Sequence, residues 1–131
     1  LAFFRFGWPH PPRPGLALKK TIVERLHFDA AQTAAYEKLI EGHRNAVRAK
    51  EGEMLAVKKQ LYAGLKNDAF PQKDSLARRI GQIHTEIELI HFAHFQKVKN
   101  LCRPEQIADF QNFVDELSTF LSPMPPPPPG K

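Results

Sequence analysis

Apolar residues recur every three and four positions along most of this chain. Tyr36, Ile40, His43, Val47, Lys50, Met54, Val57 and Leu61 form one such stripe. This is the spacing of a helix face, and it predicts a helix from Ala30 to about Leu65. Gly42 and Gly52 lie within it and weaken it by about 1 kcal/mol each relative to Ala, which marks them as places for a bend. A break follows at Lys66-Asn67-Asp68-Ala69-Phe70-Pro71, and Leu76, Ile80, Ile83, Ile87, Ile90, His94, Val98 and Leu101 then make a second stripe. Two stripes facing each other across a short turn make an antiparallel helical hairpin. Leu18, Ile22 and Leu26 suggest a short lead-in helix. Ile107, Phe110, Phe113, Val114 and Leu117 continue a third helix from Pro104 to about Leu121. The expected fold is all-α, one domain over residues 16–122, with no strand. A bare hairpin buries little apolar surface per residue, so a homodimer is expected.

Two helix starts share a chemistry. Asp29 can accept a hydrogen bond from the backbone three residues on while Gln32 reaches back, the reciprocal arrangement of a capping box. In the second start Pro104 suits the first helical turn and Gln106 the third position, but Arg103 has no acceptor to offer. Only half a box is expected there, and each Gln, taken alone, is structural.

Phe28-Asp29-Ala30-Ala31-Gln32 and Cys102-Arg103-Pro104-Glu105-Gln106 stand a long hairpin apart. In this the chain resembles the periplasmic Spy/CpxP-like proteins and the related heavy-metal sensors of the CnrX type, which carry two Leu-Thr-x-x-Gln motifs at helix starts. The resemblance spans Leu16 to Leu121. It departs where Asp29 replaces Thr, which preserves the cap, and where Arg103 does, which does not. It implies a small extracytoplasmic helical protein, a curved dimer, in some members held by an N-terminal membrane helix.

The ends have a different character. Leu1 to Trp8 is an apolar stub closed by Arg5 and Trp8, read as the end of a membrane helix reaching the interface and too short to span a bilayer itself. Trp8 to Gly15 is WPHPPRPG, read with the stub as an anchor end and proline-rich linker over residues 1–15. Residues 123–131 read as a proline-rich disordered tail. The localisation expected is periplasmic, with an inner-membrane tether.

Nineteen Lys and Arg against 14 Asp and Glu give a net charge of +5, which favours anionic partners. The basic residues are mixed with acids, as at Arg48, Lys50, Glu51 and Glu53, a pattern of solvated helix faces that argues against nucleic acid. Cys102 is the single cysteine, so no intrachain disulfide forms. Neither a nucleophile elbow, a phosphate-binding glycine loop nor a zinc-protease motif occurs, and no enzyme is expected.

Six histidines raise the question of metal. His84, Glu88 and His91 are spaced along one side of a helix, His94 lies a turn beyond, and His43 faces them from the other stripe. Imidazole and carboxylate suit Ni, Co, Zn or Cu. Interface histidines satisfied by protein partners would give the same letters, as would a protonation switch. The metal-sensing relatives place a His-x-x-x-His pair early and a His-x-x-x-Met pair late, and neither spacing occurs here. Arg44, Arg48, Lys58 and Lys59, with Leu55 and Tyr62, offer instead a basic and apolar face of the kind a holdase needs, although a solvated helix face would also fit. Two roles therefore stand: a heavy-metal or envelope-stress sensor relaying to a membrane signalling partner, or an ATP-independent chaperone holding unfolded envelope proteins.

Overall fold

In the computed structural model, residues 14–121 are described. They form four α-helices and no strand: α1 (Pro14–Arg25), α2 (Ala30–Ala63), α3 (Lys73–Leu101) and α4 (Ile107–Leu121). Short 3-10 turns cover Gly64–Lys66 and Pro104–Gln106. The anchor end, most of the linker and the tail lie outside the described residues. Pro14 and Gly15 are the exception: assigned to the linker by composition, they open α1, where proline's fixed φ and missing N–H cost nothing. No helix of the described residues is long and apolar enough to cross a membrane.

These residues divide into two compact units, one comprising the chain up to Thr33 and from Cys102 onward, the other Ala34–Leu101. The second is the hairpin. Every position of the two expected stripes is buried or half-buried, with Tyr36 and Met54 most enclosed on α2, and Ile83, His94, Phe95 and Val98 on α3. Gly42 and Gly52 sit inside an uninterrupted α2. At the turn the Phe70 ring packs over Gly64 so closely that a Cβ there would collide with it, which is why the chain reverses on a glycine.

The first unit is built around Ile22, Leu26, Phe28, Phe110 and Phe113, all buried. Its helix α1 ends in a left-handed residue, His27, with φ of 58°. The Phe28 N–H donates to the Val23 carbonyl at 3.1 Å and the His27 N–H to that of Glu24 at 3.3 Å. That is the two-bond helix stop usually completed by glycine. Arg25 lies over the Phe113 ring, 5.9 Å from its centroid, and pairs with Glu116 on α4.

Candidate functional site: the imidazole cluster and the glutamine clasp

Helical period puts His43 on the inner face of α2 and His94 on that of α3, and the hairpin register sets His43 opposite His91 and His94. His43 Nε2 and His91 Nδ1 stand 2.8 Å apart in a hydrogen bond. The His43 ring stacks on that of His94 with centroids 4.2 Å apart and planes 21° from parallel. Phe95 meets His94 edge-on at 5.0 Å, and Tyr36 lies 6.3 Å away on another side. An imidazole deprived of water holds its proton poorly. Burial, and secondly the neighbouring His91, push the His43 pKa down to about 4. His94 falls to about 4 as well, by burial first and then by His43, His91 and Lys97. Both are neutral at pH 7.

The expected metal set is thus divided. His43, His91 and His94 come together, whereas His84 and Glu88 are exposed outside the cluster. Two nitrogens on one tetrahedral zinc lie roughly 3.3 Å apart with both lone pairs aimed at the ion. Here one pair of nitrogens is already joined by a proton. Stacked rings, moreover, hold their in-plane lone pairs side by side instead of convergent. Among the described residues no group of three or more His, Cys, Asp or Glu side chains is placed to hold a metal ion. The arrangement fits imidazoles held by stacking and by hydrogen bonding to one another, and it does not fit a preformed Ni, Co, Zn or Cu centre.

Farther toward the turn the same two helices are joined by charge. Lys50 Nζ donates to Glu86 at 2.9 Å and lies 3.5 Å from Glu53, and Arg79 pairs with Glu53 and, at 3.6 Å, with Glu86. The Lys50 hydrogen bond is the main reason the Glu86 carboxyl sits below the usual range. The same contact raises Lys50.

In the first unit, the capping box at Asp29 forms as expected: the Gln32 N–H donates to Asp29 Oδ1 at 2.8 Å and the Asp29 N–H to Gln32 Oε1 at 3.1 Å. The second start is the expected half. Gln106 Oε1 accepts from the Arg103 N–H at 2.7 Å, and the Gln106 N–H turns to the Arg103 backbone carbonyl at 2.8 Å. The two glutamines also bind each other, Gln32 Nε2 donating to Gln106 Oε1 at 2.7 Å, and Gln106 Nε2 reaching the His27 carbonyl at 3.0 Å. Arg103 pairs with Asp29. The Asp29 carboxyl is held below its usual range chiefly by the Gln32 backbone N–H, with Arg103 adding to the effect. Pro104 stands at the mouth of its turn as expected.

No protein-family model, curated protein or solved structure matches this chain.

Arg103, which cannot cap its own helix, supplies the cation beside the other start, a role no local rule would have found. The basic residues Arg44, Arg48, Lys58 and Lys59 are all exposed on α2. Between and beyond them, Leu55 and Tyr62 expose 54% and 62% of their surface.

Proposed function

We propose that this chain is a non-catalytic, extracytoplasmic binding protein of the Spy/CpxP-like kind. It serves envelope stress by holding unfolded segments of other proteins without ATP. The observation that carries the reading is the outer line of α2. Arg44, Arg48, Leu55, Lys59 and Tyr62 are separated by steps of four, seven, four and three, which places them on one side of the helix. That side faces away from the stripe already filled by α3, so its large apolar groups have no part in closing the hairpin. Apolar surface beside fixed positive charge binds unfolding chains weakly and without sequence preference. The joined glutamines at the two helix starts support the family side of the proposal. A periplasmic setting, an N-terminal tether and a homodimer belong to the same proposal.

Light scattering of an unfolding client tests it. Wild-type protein should suppress aggregation in the absence of nucleotide and metal, and the double variant Leu55→Ser, Tyr62→Ser should lose most of that protection while keeping its helical circular dichroism. Undiminished protection by the double variant would end the reading.

The contact between His43 and His91 favours a second reading, a heavy-metal sensor acting on a membrane partner. An ion there would have to replace the hydrogen bond and reorient the stacked rings. Calorimetric titration with Ni, Co, Zn and Cu of wild type and of His91→Ala decides it, since binding that ignores the substitution excludes this site.

A further inference from the structure

We propose that the cleft beside His43 and His94 is a binding site for a small amphipathic carboxylate. The cleft has a volume of about 400 Å³ and lies between α2 and α3, at the small end of the range for small-molecule sites. Leu39, Gly42 and Ala46 line it from α2, Ile90 and Ala93 from α3. These residues offer an alkyl or aryl body a dry, shallow bed. Lys38 and Lys97 stand at its margin, exposed to solvent. No carboxylate or thiol belongs to the lining, so it holds no fixed negative charge.

His94 supplies the second, independent pointer. Its side chain is only 6% exposed, and it packs against the rings of His43, Tyr36 and Phe95. Buried polar groups are almost always hydrogen-bonded. Among the described residues no fully enclosed side-chain nitrogen or oxygen lacks a partner, and His94 is part of the cleft lining, so a ring nitrogen not engaged by protein stays within reach of a ligand there. A neutral imidazole carries one N–H and one acceptor nitrogen, and the tautomer with its N–H toward the cleft can donate to a ligand there. One imidazole N–H, two ammonium groups at the rim and an apolar bed between them complement a single carboxylate on a short apolar body. The apolar bed, more than the lysines, favours a carboxylate on an alkyl or aryl body over a bare phosphate, since inorganic phosphate would leave that bed unfilled.

This site lies across α2 from the line of Arg44, Arg48 and Leu55, so it stands or falls apart from the proposed client face. The test is an NMR titration of the full chain with sodium octanoate, following the ring protons of His43 and His94, with octylammonium and octanol as comparators. Octanoate should shift both imidazoles and bind about tenfold tighter than octylammonium, a difference of about 1.4 kcal/mol. Lys38→Glu with Lys97→Glu should weaken octanoate about tenfold. Gly42→Leu, whose new side chain enters open space, should fold normally and block binding by filling the cleft. Unmoved imidazole resonances, equal affinity for the three amphiphiles, or wild-type affinity in Gly42→Leu would each overturn the proposal.

Discussion

One pair of helices solves the problem of interfacial polar groups in two ways. Near the turn, Lys50, Glu53, Arg79 and Glu86 keep their charges because each remains about one-third exposed and water still solvates part of it. Toward the other end, His94 is almost wholly enclosed and gives up its charge, stacking as a neutral ring. The contrast shows that position along a helical seam, and not residue polarity alone, decides whether a group contributes by pairing or by packing. Desolvating a charge costs more than a surface pair returns, whereas a neutral ring with ring neighbours behaves much like an aromatic core residue.

The strongest way to break the contrast is to remove the enclosed ring. His94→Ala should destabilise the fold by about 3 kcal/mol in chemical denaturation, through lost ring contacts and the cavity left behind. His94→Phe, which keeps the ring, should cost far less. If the two variants cost the same, packing is not what His94 contributes.

Acid acts next. Because the folded-state pKa values of His43 and His94 lie near 4, below the ordinary imidazole value of about 6.5, the unfolded chain binds more protons between these limits. Stability contributed by the neutral pair is therefore full above about pH 6.5 and is lost as pH falls toward 4. With His43 half-exposed and partly screened, the expected loss is about 2 kcal/mol for the pair. The slope should flatten in a His43→Phe, His94→Phe double variant, and a slope that survives there would assign the proton uptake elsewhere.

The smallest effect belongs to the ionic end. Replacing both Lys50 and Glu86 by Met should leave the melting temperature nearly unchanged, because partly exposed pairs return little against their desolvation and side-chain entropy. Molar salt should likewise weaken only this end of the seam. A larger response to salt than to His94→Ala would invert the comparison.

Much of this was legible in the chain. The stripes from Tyr36 to Leu61 and from Leu76 to Leu101 mapped onto buried or half-buried positions because helical period is a local property. The box between Asp29 and Gln32 is also local, and it formed with both bonds. What proximity along the chain could not reveal was partnership at a distance: Gln32 with Gln106, 74 residues away, or Arg103 with Asp29. The histidines illustrate the limit from the other side. Spacing grouped His84 and Glu88 with His91 because all three share a flank of α3, yet the facing helix contributes His43 only at the level of His91 and His94. Composition misassigned Pro14 and Gly15 for a related reason, since proline breaks a helix in its interior but not at its first turn.

The turn between α2 and α3 has one more consequence. Both compact units draw on chain from either side of it: the ionic contacts and the imidazoles join α2 to α3, while Gln32 with Gln106 and Arg25 with Glu116 join residues before the turn to residues after it. Asn67 and Asp68, at the reversal itself, are exposed. Severing the backbone there would yield two fragments, neither of which contains a complete unit. Each would regain its fold only by meeting the other, so the protein is suited to assembly from two separately made halves.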